Sequence, residues 1–292
     1  MGIYKGVFRP KDYVRPTTVA EAIKLLVNSG HRARLIAGGT DLLVEKDPET
    51  EIVIDVADLG LNYIKTDSRG IKIGAATTFA AIETSPVLGK SPYSILGEAA
   101  HLMGTPQIRN MATIGGNICS AVPSADSPPA LLALAATLVI AGPTGERTID
   151  IADFFLDAKR NALNTGELLV EIQLPTLPAR TSATFVKKGR LAAADLALVN
   201  GAVSLTITPE GLCADVRIAL GAVAPTPLRA NKAEAMLRGK KPHEDLLSRV
   251  ADCAASEIKP ISDVRGSAEY RRALSRVLVE RMLMDVVASV SS

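Results

Sequence analysis

Apolar and polar residues alternate along many short stretches of the chain, and this period of two predicts β-strands. Before residue 176 the predicted strands cover residues 34–37, 51–56, 71–75, 137–141, 147–151 and 168–174. Apolar residues spaced by three and four predict helices after Thr18, after Thr78, over about residues 95–103 and from the proline pair 128–129. Thr18 and Glu21 form a capping-box pattern, which places the first helix start at this threonine.

The segment LPTLPARTS, with prolines at 175 and 178, interrupts this pattern and predicts a domain boundary. Beyond it, strands are predicted at 183–188, 200–208 and 213–220, followed by helices at about 231–238, 243–257 and 268–289. Strands followed by helices indicate an α+β fold instead of regular βαβ alternation. We therefore expect one domain over residues 1–176, with subdomains of about 1–57 and 58–176, and a second domain over residues 177–292.

Composition narrows the classes of function. The chain of 292 residues is 47% hydrophobic, and its 33 basic and 31 acidic residues give a net charge of +2. It has no basic block, so nucleic acid is not an expected partner. Cys119, Cys213 and Cys253 lie far apart, which predicts neither a disulfide framework nor a metal site. The apolar run 128–142 is too short to span a bilayer, and the first residues lack a signal-peptide pattern, so we expect a cytoplasmic protein.

Two similar stretches, IAGGTD (36–41) and ATIGGN (112–117), place adjacent glycines after a short apolar segment. Adjacent glycines allow positive φ angles and bring backbone N–H groups close to a ligand, so such a loop can bind an anion. Two of these loops could hold the diphosphate of a dinucleotide without a cluster of lysines or arginines. The alternative is that both are tight turns at strand ends.

Catalytic side chains are not evident in the sequence. It contains no GxGxxG or P-loop motif, and none of His31, His101 and His243 pairs with another at metal-ligand spacing. Loops of the cofactor-binding kind without an acid, base or nucleophile indicate an enzyme whose chemistry belongs to a bound cofactor. We predict no catalytic side chain.

Five stretches together resemble one family. They are AGGTDLL (37–43), ATIGGN (112–117), SADSPPALLAL (124–134), FVKKGRLAAADLALVN (185–200) and RGSAEYRRALSRVL (265–278). Their order and wording are similar to the FAD-binding medium subunit of the molybdenum hydroxylases, a family that includes xanthine dehydrogenases and aerobic carbon monoxide dehydrogenase. The resemblance covers nearly the whole chain.

The resemblance implies a fold and a function. The fold is a vanillyl-alcohol-oxidase (PCMH)-type FAD-binding domain of two subdomains, followed by a CO dehydrogenase flavoprotein-like domain of a small antiparallel sheet and helices. The implied oxidoreductase subunit carries FAD. It works with a large molybdopterin subunit and a small subunit with [2Fe–2S] clusters, as a dimer of heterotrimers. Electrons pass from those clusters to FAD and then to NAD⁺, a quinone or O₂.

The resemblance also implies the residues that bind FAD. They are Leu35, Ile36, Ala37, Gly38, Gly39, Thr40, Asp41 and Leu42 in the first loop, Thr113, Gly115, Gly116 and Asn117 in the second, and Asp126, Leu169 and Lys187. Asp126 would bind hydroxyls of the cofactor, and its alternative role is the N-cap of the following helix. Leu169 would line the flavin or simply pack in a strand. Lys187 would place a positive charge near the flavin ring or be a solvated strand residue, with Lys188 leaving the register open.

Two departures from the family pattern matter. Met103 stands where some relatives have an aromatic residue ahead of the second loop, and the three dispersed cysteines cannot supply the [4Fe–4S] insertion of the 4-hydroxybenzoyl-CoA reductase type. Two other functions stay open at this stage. One is a stand-alone flavoprotein oxidoreductase of the same fold, and the other is a non-catalytic nucleotide-binding scaffold.

Overall fold

The computed structural model describes residues 8–191 and 194–291, so the first seven residues, where no signal peptide is expected, lie outside it. The chain begins with a three-stranded parallel sheet whose strand order is β1-β3-β2. Its elements are β1 (Asp12–Val14), α1 (Val19–Ser29), β2 (Ala33–Ile36), α2 (Leu42–Glu45) and β3 (Ile52–Asp55). The Thr18 hydroxyl accepts a bond from the Glu21 N–H, as the capping pattern predicts, and this fixes the start of α1.

A five-stranded antiparallel sheet follows in the chain, and most of the helices between its second and third strands in chain order pack against it. Its strand order is β4-β5-β10-β6-β7. The elements are β4 (Ile64–Asp67), β5 (Gly70–Gly74), α3 (Phe79–Glu83), α4 (Ser94–His101), α5 (Pro106–Met111), α6 (Ile114–Ser120), α7 (Ser127–Ala133), β6 (Thr137–Gly142), β7 (Gly145–Asp150), the small hairpin β8 (Phe155–Asp157) and β9 (Arg160–Asn161), and β10 (Leu168–Pro175). The apolar face of this sheet packs with α3, α4, α6 and α7 in one core that contains Ile73, Phe79, Leu131 and Ile172.

The last part of the chain is a four-stranded antiparallel sheet packed on helices. Strands β11 (Thr181–Lys188), β12 (Val199–Ile207), β13 (Cys213–Gly221) and β14 (Leu228–Arg229) lie side by side in chain order. Helices α8 (Asn231–Leu237), α9 (Glu244–Glu257) and α10 (Ala268–Ser291) complete this region. Val203, Ile218, Val250 and Leu283 belong to its core.

The motif SAEYRR supplies a buried arginine at the start of α10. Arg271 is 2% exposed, and its Nη1 donates to the carbonyl oxygen of Leu198 at 2.6 Å. Its Nη2 donates to Asp263 at 2.9 Å, and Arg265 and Arg271 together hold the pKa of Asp263 well below its usual range. Arg271 therefore holds the backbone in place immediately before β12.

The predicted α+β class and the order of strands before helices are confirmed. Several details need correction or addition. The sequence did not predict the short elements β1, β4, β8, β9, β14, α2 and α5, and it predicted a loop at residues 112–117 where the structure has the start of α6. Within the described ranges no helix combines the length and the apolar character needed to cross a membrane.

Candidate functional site

One cleft of about 580 Å³ lies between the end of the parallel sheet, the five-stranded sheet and the edge of β11. Its volume is within the range of clefts that bind small molecules and cofactors. Every residue predicted to bind the cofactor lines this cleft, namely Leu35, Ile36, Ala37, Gly38, Gly39, Thr40, Asp41, Leu42, Thr113, Gly115, Gly116, Asn117, Asp126, Leu169 and Lys187. The fold thus brings together residues that are up to about 150 positions apart in the sequence.

The first glycine segment, residues 37–42, follows the end of β2 and offers a run of free backbone donors. The six N–H groups from Ala37 to Leu42 donate to no acceptor in residues 8–191 or 194–291. Gly39 has a φ of 69°, in the left-handed region that favours glycine. Successive N–H groups around a residue in that conformation form a concave site for an anion. This segment therefore has the donors that a diphosphate needs.

Gly38 serves a different purpose from its neighbour. A Cβ at this position would lie 1.8 Å from the carbonyl oxygen of Met111, so only glycine allows the backbone to pack there. The contact places the first glycine segment directly against the end of α5. The hydroxyl of Ser120 also donates to the carboxylate of Asp41, which joins α6 to the same segment. The two glycine-rich regions are consequently neighbours along one wall of the cleft.

The second glycine pair lies in the first turn of α6, so the predicted loop at 112–117 is wrong. Thr113 is the N-cap, and its hydroxyl accepts a bond from the Gly116 N–H at 3.1 Å. The other N–H groups of this turn also have acceptors, which are Thr77 O for Ile114, Ala75 O for Gly115 and Thr113 O for Asn117. Unlike residues 37–42, this region has no free run of backbone donors.

Helix α6 instead contributes an open surface and one side-chain amide to the cleft wall. A Cβ on Gly115 would lie 2.6 Å from the carbonyl oxygen of Ala75, so this glycine permits close packing on β5. A Cβ on Gly116 would meet only the Thr113 hydroxyl, at 3.0 Å, so this glycine leaves space at the wall. The Asn117 Oδ1 accepts a bond from the Ser127 hydroxyl at 2.7 Å, which leaves its Nδ2 without an acceptor among the described residues.

Asp126 and Lys187 form a buried ion pair across the cleft wall. The Lys187 Nζ lies 2.6 Å from the Asp126 Oδ2, and the two side chains are 8% and 7% exposed. The same Nζ donates to the carbonyl oxygen of Leu102 at 2.9 Å. Burial raises the pKa of Asp126, and Lys187 opposes that rise by stabilising the ionised form.

This pair bears on the alternatives left open by the sequence. Asp126 precedes α7, but its side chain does not cap that helix, because both oxygens are directed to other partners. The Lys187 side chain is 8% exposed and lines the cleft, whereas Lys188 is exposed, so the register of β11 selects the first lysine. The charge of Lys187 is compensated by a carboxylate, which the sequence did not indicate.

The remaining wall is apolar. Leu169 is 5% exposed and both packs in the core and lines the cleft, so its two proposed roles are compatible. Met103 lines the cleft as well, so the wall ahead of α6 carries a thioether side chain there and no aromatic ring. The other apolar lining residues include Leu35, Ile36, Val56, Leu61 and Leu168.

Sequence reasoning gave no role to Asn200, which lies behind the ion pair. Its Nδ2 donates to the Asp126 Oδ1 and to the Ala125 carbonyl oxygen, each at 3.0 Å. Asn200 is fully buried. Only the position of this asparagine opposite Lys187 in the predicted sheet could have indicated it. Cys119 also lines the cleft, but burial raises the pKa of its thiol to about 12, so it is not a thiolate at neutral pH.

Comparisons with known proteins agree on one family over most of the chain. The family described as the FAD binding domain in molybdopterin dehydrogenase matches residues 7–177. The CO dehydrogenase flavoprotein C-terminal domain matches residues 184–286. Together these two matches account for nearly all of the sequence.

Individual relatives match over most of both chains. The glyceraldehyde dehydrogenase medium chain of Sulfolobus acidocaldarius is 34% identical over 94% of this chain and 98% of its own. A putative xanthine dehydrogenase FAD-binding subunit of Escherichia coli is 30% identical over 95% and 96%. In a solved carbon monoxide dehydrogenase from Hydrogenophaga pseudoflava, one chain superposes with a TM-score of 0.90 at 35% identity, covering 94% of this chain and 96% of that chain.

Proposed function

The chain belongs to the FAD-binding medium subunits of the molybdenum hydroxylases, and from this premise we propose that it carries electrons from [2Fe–2S] clusters of a small partner subunit to NAD⁺, a quinone or O₂. It is the FAD subunit of a dehydrogenase complex, and its relatives are oxidoreductase subunits. The organic substrate belongs to the large molybdopterin subunit in this proposal, so no residue of this chain acts on it.

The cleft fits FAD by the chemistry of its donors. The six free N–H groups of residues 37–42 suit a diphosphate, which carries acceptors only. The Asn117 Nδ2 and the third N–H of Lys187 suit the hydroxyls and the polar ring edge. The apolar wall around Leu169 suits flat rings. The single observation that carries the proposal is the run of free donors at 37–42.

Bound FAD would supply both one-electron and two-electron transfer, so the redox chemistry would belong to the cofactor. The tasks of this chain are then binding, orientation and electrostatics. Residues 37–42 would hold the diphosphate, and α6 would form the adjacent wall with Thr113, Gly115, Gly116 and Asn117. Asp126, Leu169 and Lys187 would lie along the rest of the cofactor.

The complex we propose also contains a large molybdopterin subunit and assembles as a dimer of heterotrimers. We place the division between the FAD-binding part and the C-terminal part at residues 176–177. Support for that division comes from β10, which ends at Pro175, and from β11, which begins at Thr181. The FAD-binding part would comprise subdomains of about 1–57 and 58–176, which correspond to the parallel and the five-stranded sheets.

A comparison of FAD, FMN and riboflavin tests the cofactor site. We expect the purified chain to retain FAD with its visible absorbance, and to bind riboflavin at least a hundredfold more weakly, because riboflavin cannot use the donors at 37–42. Titration followed by flavin fluorescence measures the three dissociation constants. Equal affinity for FAD and riboflavin would contradict the binding of the diphosphate by residues 37–42.

Expression with and without the neighbouring genes distinguishes the proposed function from its alternative, a stand-alone flavoprotein oxidoreductase. The proposal expects co-purification with chains that contain iron–sulfur clusters and molybdenum, and turnover only by that assembly. Substrate turnover by the isolated FAD-loaded chain would support the stand-alone enzyme instead.

A further inference from the structure

Asn200 is a fully buried polar residue in the middle of the C-terminal sheet, directly behind the cleft wall. In the antiparallel pairing of β11 with β12 it lies opposite Lys187. On its other side it lies opposite Gly221 of β13. Asn200 is therefore the strand neighbour of one member of the ion pair and a hydrogen-bond donor to the other.

Its amide can point in only one direction. The Nδ2 faces two acceptors, the Asp126 Oδ1 and the Ala125 carbonyl oxygen, both at 3.0 Å. The opposite orientation would place an oxygen against both, so the assignment follows from the chemistry of the neighbours. The Oδ1 is buried and has no partner in the part of the chain that the structure describes. A buried polar atom left without a partner is unfavourable, so the position of this amide needs an explanation in its surroundings.

The glycine across the sheet makes room for this amide. A Cβ on Gly221 would lie 2.2 Å from the Asn200 Oδ1. A side chain at position 221 would therefore displace this amide. This arrangement therefore depends on two residues together, the buried asparagine and the glycine opposite it on the neighbouring strand.

The arrangement determines how Lys187 meets the cleft. Asn200 occupies one oxygen of Asp126, so Lys187 pairs with the other, at 2.6 Å. The Leu102 carbonyl oxygen takes a second N–H of the ammonium group at 2.9 Å. The third N–H donates to no described residue, and Lys187 lines the cleft.

We propose that Asn200 is a positioning residue for the cofactor: it holds Asp126 in the orientation that compensates the charge of Lys187 and leaves one ammonium N–H for the flavin. This inference rests on the proposed function. Asn200 does not touch the cleft itself, and it acts through Asp126. A donor to the carboxylate keeps that carboxylate ionised, so the pair stays close to neutral beside the cofactor.

A double-mutant cycle tests this order of action. In the FAD-loaded full-length chain, Asp126→Asn leaves Lys187 uncompensated, and a nearby cation stabilises added negative charge. We expect at least a tenfold rise in the ratio of reduced to oxidised flavin at a fixed potential, or about 30 mV for a two-electron couple. Asn200→Leu, which keeps the volume but removes the donor, should shift the ratio in the same direction by about threefold, or about 15 mV. In the Asp126→Asn background, Asn200→Leu should add nothing.

Spectroelectrochemical titration and the FAD dissociation constant are the two measurements. Val203→Ala, in the same strand and fully buried, is the matched control, since it opens a core cavity away from the pair. It should lower the melting temperature without shifting the flavin potential. Asn200→Ser, whose hydroxyl is too short to reach Asp126, repeats the test with a smaller side chain if the leucine variant does not fold.

The outcomes separate the inference from the function. Asn200 variants that only lower the melting temperature, as Val203→Ala does, would overturn the positioning role, and so would a shift that is additive with Asp126→Asn. A wild-type chain that does not retain FAD would instead overturn the proposed function. A non-additive shift supports the inference.

Discussion

The two glycine pairs look alike in the sequence and differ in the structure. Residues 37–42 form a loop in which six N–H groups have no acceptor among the described residues. Gly115 and Gly116 lie in the first turn of α6, where every N–H from Ile114 to Asn117 has an acceptor. A glycine pair therefore does not define an anion site. The decisive question is where the backbone donors of the segment are directed.

The two glycines of each pair also have different structural roles. Gly38 and Gly115 lack a side chain because another backbone lies too close, at Met111 and at Ala75. Gly39 has the left-handed conformation, and Gly116 leaves space at the cleft wall. One member of each pair serves the packing of the fold, and the other serves the site. The predictions below separate these two uses.

The largest effect is expected for Gly38→Ala. The new Cβ would lie 1.8 Å from the Met111 carbonyl oxygen, so the two regions must separate. We expect a loss of about 3 kcal/mol of unfolding free energy, at the upper end for overpacking, together with loss of FAD binding. Urea unfolding and flavin absorbance measure the two effects.

Gly97→Ala is the matched control. Gly97 lies in α4, and its Cβ would meet only the Ile82 carbonyl oxygen at 3.9 Å. Alanine is the better helix former by about 0.5–1 kcal/mol, so this variant should be as stable as the wild type or more so. Equal behaviour of the two variants would contradict the close contact at Gly38.

Next in size is the contrast between Gly115→Ala and Gly116→Ala, which differ by one position. Gly115→Ala should cost about 2 kcal/mol, because its Cβ would clash with Ala75. Gly116→Ala should change the unfolding free energy by less than about 1 kcal/mol, since helix propensity offsets a mild contact with Thr113. It should nevertheless weaken FAD binding at least tenfold. Calorimetric melting and FAD titration distinguish them, and a reversed ranking would refute the division of work in this pair.

Gly39→Ala is expected to have a smaller effect on stability and a large one on binding. A φ of 69° costs a residue with a Cβ about 1–2 kcal/mol, and relief of that strain would turn the N–H groups away from the cleft. We expect at least a tenfold loss of FAD affinity with riboflavin affinity little changed. If both affinities fell equally, the loss would not be specific to the diphosphate.

The smallest effect is expected for Thr113→Val. This change removes the hydroxyl that accepts from the Gly116 N–H and should destabilise α6 by about 1 kcal/mol, a usual value for an N-cap. Thr105→Val at α5 has the same cap geometry and serves as control, because Thr105 does not line the cleft. Only Thr113→Val should lower FAD affinity, and equal binding by both variants would show that the cap of α6 does not matter to the site.

Periodicity was sufficient for the longer strands of the two antiparallel sheets, β5, β6, β7, β10, β11, β12 and β13. Residues such as Ile71, Ile73 and Ile172 alternate in sequence and are buried in the structure. It failed for the short edge strands β1 and β4, whose polar and exposed residues show no apolar face. Short strands of this kind depend on the neighbouring strand for their hydrogen bonds, which periodicity does not report.

The residues predicted to bind the cofactor were brought together as expected along one cleft, but the contacts among them were not predicted. The resemblance named residues that all line one cleft, yet Thr113 as an N-cap changes what the second glycine pair does. The pairing of Asp126 with Lys187 joins residues 61 positions apart, and Asn200 reads as an ordinary strand residue in the sequence. The roles of Asp126, Lys187 and Asn200 depend on contacts between distant segments, which the sequence pattern does not report.

The cleft wall formed by β11 has a consequence for the order of events during synthesis. Lys187 is held in a sheet that packs on α10, and Arg271 of that helix contacts Leu198, immediately before β12. A nascent chain in which only the FAD-binding part has been synthesised still lacks this wall and the contact of Arg271 behind it. Flavin loading should therefore follow the synthesis of α10, because that helix packs behind the wall formed by β11.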